Sequence, residues 1–536
     1  MKTEKLKQNV KGYVHQFEDG GLRLLRKGQK GVIHAIFSRF GLVLILLLLQ
    51  VGLLFSIFRW FGNLWPHYFG GSVVVTSAMV IYLLNSKMDN SAKITWMVVV
   101  AIAPVVGIPM FFYVKSNFGH NILRKRLLEL EDQLRGWLPQ SQKAVEQLKA
   151  LEPGAASLAK YLYGRGGGFP VYQNTAMTYF PGGEAKFEEL LRQLETAEEY
   201  IFVEYFIIDE GLMWGKILEV LARKALQGVD VRVMYDGTCE FSTLPRNYPR
   251  LLEKLNIQCK VFSPVQPFVS THYNYRDHRK ILVIDGRVGF TGGVNLADEY
   301  INHIQKHGRW KDAAVMLEGE AVRSLTAQFL QMWGILKEPE YEQFLTRPIP
   351  VPENAKGVAA PYGDCPLDGE RVGEMVYIDL LNRARDYIHI MTPYLILDGE
   401  LETALKFAAE RGVDVHLILP GKPDKRFPYA LAKSHYSALL DSGVKISEWS
   451  PGFVHAKVFV VDGREAVWTT AACTITLRMP SGWWMLPVSG TLSRISSTRW
   501  NSAARWKIPR PASGRSIICS VPPECCSRSL HRCCNS

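Results

Sequence analysis

Polar and apolar positions divide the chain into zones. Residues 41–58 read GLVLILLLLQVGLLFSIF without a charge, and no Lys, Arg, Asp or Glu falls between Arg59 and Lys87. A third apolar stretch, ITWMVVVAIAPVVGIPMFFYV at 94–114, has the length of about 20 residues that crosses a bilayer. Its Pro104 and Pro109 are tolerable in a membrane helix. The pattern predicts a transmembrane region over 41–116 with two or three spans. Ahead of it, residues 1–40 carry nine Lys/Arg against three acids. That excess, with Lys115 and Arg124-Lys125-Arg126 beyond the last stretch, predicts cytoplasmic flanks on both sides. Two cytoplasmic flanks need an even number of crossings, so 68–84 is expected not to span fully. The catalytic region is then cytoplasmic, at the cell membrane.

Residues 117–168 follow with an amphipathic helical pattern, ILRKRLLELEDQLRGWLPQSQKAVEQLKALEP, a connector that closes on the hinge RGGG at 165–168. From residue 169 helical and strand periods alternate, and they do so twice. GGEAKFEELLRQLETAEEYIFVEYFIIDEG precedes a helical stretch and then Gly228-Val229-Asp230-Val231. GERVGEMVYIDLLNRARDYIHIMTPYLILDG precedes another and then Gly412-Val413-Asp414-Val415. Offsets between the copies are 387 − 200 = 187 at the tyrosines, 412 − 228 = 184 at the glycines and 455 − 278 = 177 at the histidines. Each copy reads helix, buried strand, helix, buried strand, loop, motif strand. That order predicts an α/β fold of two pseudo-symmetric halves, 169–350 and 351–465, with mainly parallel sheets flanked by helices.

The motif strands carry the chemistry. RDHRKILVIDG contains His278, Lys280 and Asp285, and VHAKVFVVDG repeats the spacing with His455, Lys457 and Asp462. On an extended chain residues two apart share a face, so each histidine lies beside a lysine. A neutral imidazole and a cation near the small-residue turn Thr291-Gly292-Gly293 suit a bound phosphate. Duplication turns the two histidines toward one ligand. His272, His303, His307 and His435 read as ordinary surface or core residues.

Composition narrows the class. With 536 residues, 47% hydrophobic and 21% charged, most of the chain can fold around sizeable cores and is not disordered. No cluster of Asp, His and Cys has metal-ligand spacing, so neither metal nor cofactor is expected.

The paired H-x-K-x-x-x-x-D strands, the first followed by Gly292-Gly293-Val294-Asn295, resemble the phospholipase D superfamily. Together with the apolar N-terminus, "VEYFIIDEG" and "RDHRKILVIDGRVGFTGGVNLADEY" are similar to the bacterial cardiolipin synthases within it. The resemblance implies a phosphatidyltransferase, with phosphatidylglycerol and anionic membrane lipid as partners and no nucleic acid. It implies that His278 attacks the phosphorus of one phosphatidylglycerol while His455 protonates the departing glycerol. His455 then acts as base on a hydroxyl of a second phosphatidylglycerol, giving cardiolipin. Lys280 and Lys457 would hold the phosphate oxygens, with Gly293 and Asn295 in the adjoining turn and Asn295 adding a neutral donor. Asp285 and Asp462 are expected to be structural or to orient a histidine. Transfer of the same intermediate to water, by a phospholipase D or other phosphodiesterase, is the alternative.

After Glu465 the resemblance stops. Residues 466–536 hold nine Lys/Arg and one acid, six of nine cysteines and five of thirteen tryptophans, without helical periodicity. Such a tail reads as a translated frameshift. It predicts an incomplete second half-site, last core strands that cannot form, and an impaired enzyme.

Overall fold

The computed structural model describes residues 65–469 except 87, 89, 103, 116–117, 265–275, 336, 356 and 366, with four outlying strands, 15–16, 22–23, 473–478 and 503–505. Strands β1 (His15–Gln16) and β2 (Leu22–Arg23) form an antiparallel pair. The first half contains β3 (Thr175–Phe180), β4 (Tyr200–Tyr205), β5 (Asp230–Asp236), β6 (Gln258–Phe262), β7 (Lys280–Ile284), β8 (Val288–Gly292), β9 (Arg309–Lys311) and β10 (Ala314–Gly319). The second contains β11 (Val358–Gly363), β12 (Tyr387–Met391), β13 (Asp414–Pro420), β14 (Lys445–Trp449), β15 (Gly452–Val454), β16 (Val458–Val461), β17 (Glu465–Thr469) and β18 (Cys473–Arg478), and β19 (Ala503–Arg505) follows.

The sheets repeat one another. Their orders are β3-β10-β8-β7-β4-β5-β6 and β11-β18-β17-β16-β12-β13-β14-β19, so seven strands correspond one to one and β19 is an addition. Helices flank both sheets, and a core of buried side chains runs from Val315 and Leu317 of β10 to Tyr362 of β11 and Trp468 of β17.

Two expectations need correction. Each sheet is mixed rather than mainly parallel. Within these two sheets only β4–β5–β6 and β12–β13–β14 pair in parallel among the described residues, and the motif strand runs antiparallel to both of its neighbours. The cause is local: Asp285-Gly286 and Asp462-Gly463 are tight hairpin turns, and a chain that reverses in a few residues must pair antiparallel. The last core strands also form. β17 pairs with β16, and β18 lies between β17 and β11, so the second sheet continues past residue 465 to Arg478. The β-branched run Thr474-Ile475-Thr476 suits that strand. Apart from 466–469 in β17 and from β18 and β19, the tail lies outside the described residues.

Of the N-terminal stretches, 41–58 lies outside the described residues. Stretch 68–84 falls in the helix Trp65–Leu84, and 94–114 is divided between helices Asn90–Ile102 and Pro104–Lys115. Proline lacks the N–H that would continue the first of these, so Pro104 starts a new helix instead. Among the described residues no helix is long and apolar enough to cross a membrane. These three helices nevertheless leave Val73, Val74, Ile81, Ile94, Val98 and Ile102 exposed around a small core of Met79, Leu83, Val100 and Phe111. Residues 117–168 form helices Phe118–Trp137, Gln142–Leu151 and Pro153–Gly164. The Arg126 guanidinium ties the first of them to the carbonyls of Gly334 and Lys337 in the first half.

Candidate active site

The approach to β7 is strapped down before the histidine is reached. Asp277 N–H donates to Asp236 Oδ2 at 3.0 Å, Arg279 N–H donates to Asp277 Oδ1 at 3.1 Å, and Phe206 N–H donates to the Arg279 carbonyl at 3.1 Å. Alternation along this extended segment sends the buried Arg279 guanidinium to one side, 3.7 Å from Glu204. His278 and Lys280 take the other. There the His278 ring packs on Phe206 with centroids 4.5 Å apart, and Lys280 Nζ lies 3.3 Å from His278 Nδ1 and 2.7 Å from the His278 carbonyl.

The second histidine is held by both halves. β15 pairs in parallel with β9 of the first half, and the Lys311 carbonyl accepts the N–H groups of His455 (2.7 Å) and Ala456 (3.2 Å). The next residue after β9, Asp312, is fully buried, and its Oδ2 receives the Nδ1–H of His455 at 2.7 Å. With Nδ1 committed, Nε2 carries the lone pair, and Lys457 Nζ lies 3.4 Å from it.

Burial drives the electrostatics. It pushes His455 down to about 4, with Lys457 adding to the effect and Asp312 opposing it, so the ring is neutral at pH 7. Burial also pushes Lys457 down to about 8, while Asp312 and Asp424 oppose it. Lys280 falls well below an ordinary lysine because of burial and then the charge of Lys457. Asp312 goes the other way: burial alone would raise it, but His455 and Lys457 hold it below the usual carboxylate range. Lys280 and Lys457 come from different halves and repel one another across the site. An anion with two exposed oxygens would relieve that repulsion.

Other expected site residues take different roles. Asp285 Oδ1 and Oδ2 accept the backbone N–H groups of Glu198, Glu199 and Tyr200 at 2.8–2.9 Å, and Asp462 does the same for Arg385, Asp386 and Tyr387. Both adopt positive φ, 51° and 50°. Five residues of strand, roughly 16 Å, separate each from its lysine. Neither aspartate orients a histidine; each staples the motif hairpin to the start of the adjacent strand. Gly293 is not a phosphate donor through its backbone, because its N–H donates to the Ala313 carbonyl at 2.9 Å. Its need is spatial: a Cβ there would lie 1.9 Å from Asp312 Oδ1. Asn295 is buried, with Oδ1 accepting from Ile207 N–H at 3.1 Å and Nδ2 donating to Tyr300 Oη at 2.7 Å. One N–H of its amide remains, and Tyr300 in turn stands edge-on to His455, centroids 5.3 Å apart.

Asp312 and Tyr300 escape sequence reasoning. A single Asp before an apolar strand is common, and nothing in RWKDAAV points to a histidine 143 positions later. Beside His278 opens a cavity of about 570 Å³, whose lining includes Leu123, Leu127 and Leu128 as well as Asp364 and Asp368. As for metals, among the described residues Glu374, Asp398 and Glu400 bring ligand atoms within 4.8 Å of one another. Arg371 already bridges Glu374 (2.9 Å) and Asp398 (3.3 Å), which fits an ion pair better than a cation site.

A family pattern described as "Cardiolipin synthase, PLD-like domain" matches residues 190–333 and 377–476, both motifs included. A Geobacillus kaustophilus protein named cardiolipin synthase is 36% identical over 405 residues, which cover 74% of this chain and 79% of the relative. The chain belongs to the PLD-like cardiolipin synthase family. Within reach of the same family, an uncharacterized protein of Streptococcus mutans is 56% identical over 389 residues, 72% of this chain and 84% of its own. The solved phosphatidylserine synthase of Haemophilus influenzae aligns over 62% of this chain and 87% of its own, at 13% identity with TM-score 0.48. The family match extends to residue 476, beyond the point where the resemblance stops on reading the sequence alone.

Proposed function

We propose that the chain is a cardiolipin synthase, moving a phosphatidyl group from one phosphatidylglycerol to a hydroxyl of another through a phosphohistidine. The observation that carries this reading is the grouping of buried Lys280, His455 and Asp312 with half-buried Lys457, two lysines from different halves beside an oriented imidazole. His278 is the nucleophile in this scheme, an assignment that follows the family. The phosphodiester anion offsets the burial that keeps His455 neutral, so His455 gains a proton and passes it to the departing glycerol oxygen. The neutral His455 then takes the proton of the acceptor hydroxyl as that oxygen displaces His278 from phosphorus. Lys280 and Lys457 receive the charge that builds on the non-bridging oxygens. Exposed Val73, Val74, Ile81, Ile94 and Ile102 support a location at the bilayer surface, where both lipid head groups are available.

One observation favours a second reading, an impaired enzyme. Gly292 pairs with Ala314 in the first sheet and Thr469 with Thr474 in the second. Counting from those pairs, the counterpart of Asp312 is Ala472, which has no carboxylate. Labelled phosphatidylglycerol in mixed micelles with the full chain separates the outcomes. Cardiolipin with an equal yield of glycerol supports transfer, phosphatidate identifies hydrolysis, and no turnover selects the impaired enzyme.

A further inference from the structure

Lys186 stands outside the repeated motif. It lies on the helix Gly183–Leu194, where an amphipathic pattern would put a lysine in water, yet its side chain is fully buried. Nζ donates to Tyr205 Oη at 3.0 Å and to the Val294 carbonyl at 3.2 Å. The negative charge acting on it is Asp312, the same carboxylate that holds His455. Tyr205 is the cross-strand partner of Lys280, and the charge of Lys186 is felt at Lys280. Lys186 thus sits behind the motif residues, against the turn that carries Val294.

The fold does not require a lysine there. Using the 187-residue separation of Tyr200 and Tyr387, the second-half counterpart is 186 + 187 = 373, which is Gly373. A buried ammonium without a directly bonded carboxylate opposes stability, and such groups gather at functional sites.

We propose that Lys186 is a positioning residue of the phosphate site, its charge offsetting that of Asp312 so that Lys280 and Lys457 are left to face the two non-bridging oxygens. This rests on the proposed function in taking a phosphodiester as ligand. With the His455 proton counted as already passed to the leaving oxygen, three charged lysines and one aspartate give +2, and the oxygens of a five-coordinate phosphorus approach −2. Without Lys186 the assembly carries an excess negative charge at the moment the barrier is crossed. The titratable groups that face its ammonium are Tyr205, Asp312 and Lys280. Burial pushes Lys186 down to about 7, with Asp312 opposing, so its charge is present below that pH and lost as pH rises through it.

The test is calorimetric binding of inorganic phosphate to the full chain between about pH 6 and 9, with phosphatidyl transfer measured in parallel. Wild type should lose affinity as pH rises past about 7, whereas the affinity of Lys186→Arg should not fall at that pH. Lys186→Met should bind phosphate about tenfold more weakly at the acid end, less than the roughly 100-fold or greater loss of a direct oxyanion donor. An Arg variant with the wild-type pH profile, or a Met variant binding as wild type does, overturns the inference. Should the Met variant not fold, the Arg profile alone decides. Phosphate binding that follows this pattern without any cardiolipin formed would sink the proposed function and leave the role of Lys186 standing.

Discussion

Replacing Asp312 by Asn tests the site at its most constrained point. The carboxylate has two fixed partners: Oδ1 accepts the Ala313 N–H at 2.8 Å, and Oδ2 accepts the His455 Nδ1–H at 2.7 Å. An amide can satisfy only one of them. With its oxygen on Ala313, its NH₂ points at Nδ1 and forces the proton to Nε2, where the lone pair is needed. With its oxygen on His455, its NH₂ faces the Ala313 N–H. Losing a charge-assisted hydrogen bond costs about 1.5–3 kcal/mol, or roughly 10- to 150-fold in rate. The wrong tautomer adds to this, and the combined effect of such a change behind the catalytic histidine of a serine protease is about 10⁴-fold. Single-turnover formation of cardiolipin from labelled phosphatidylglycerol should therefore fall to near background in Asp312→Asn, while stability falls by only about 1.5–3 kcal/mol, so that the variant still folds. A variant that folds and retains more than a tenth of the wild-type rate would refute the orienting role of Asp312.

Other outcomes follow from the same geometry. His278→Ala should abolish transfer without changing the far-ultraviolet circular dichroism, and measurable cardiolipin from it would remove His278 as nucleophile. Asp462→Ala deprives three backbone N–H groups of their acceptor and leaves alanine at φ 50°, so a stability loss of about 2–4 kcal/mol is expected in denaturant unfolding. Its rate per folded molecule should be nearly unchanged; a tenfold fall would return the aspartate to the chemistry. The His455 ring has its pKa lowered from 6.5 to about 4 by burial and then by Lys457, so the folded chain takes up that proton less readily than the unfolded chain. That stability is complete above about pH 6.5 and is lost as pH falls toward 4, about 3 kcal/mol in all. His455→Phe should flatten this part of the unfolding profile, and an unchanged slope would show that other groups cause it. Transfer should persist in excess chelator, since Lys280 and Lys457 supply the positive charge; loss restored by a divalent ion would contradict this.

The duplicated order of elements and both histidine–lysine pairs were legible because strand alternation fixes which side chains share a face. What failed was strand direction: the alternation of helices and strands predicts parallel pairing, whereas Asp285-Gly286 and Asp462-Gly463 reverse the chain into antiparallel hairpins. The motif aspartates had a regular spacing, but spacing alone does not say whether a carboxylate meets an imidazole or three backbone amides. Asp312 was hidden because its partner is supplied by the other half of the chain. Lys186 was hidden because a lysine in an amphipathic helix is ordinarily solvated, and only the packing of Tyr205 and Val294 over it reveals otherwise.

The pairing of β9 with β15 also decides what can be taken apart. His455 belongs to the second half by sequence, yet the carbonyl that fixes its backbone and the carboxylate that fixes its ring both belong to the first. Severed between the halves, the first fragment would keep a buried aspartate with no imidazole to receive, and the second a histidine with no strand to lie against. Activity regained on mixing two such fragments would report their docking directly, so the site is also a gauge of whether the molecule has been assembled.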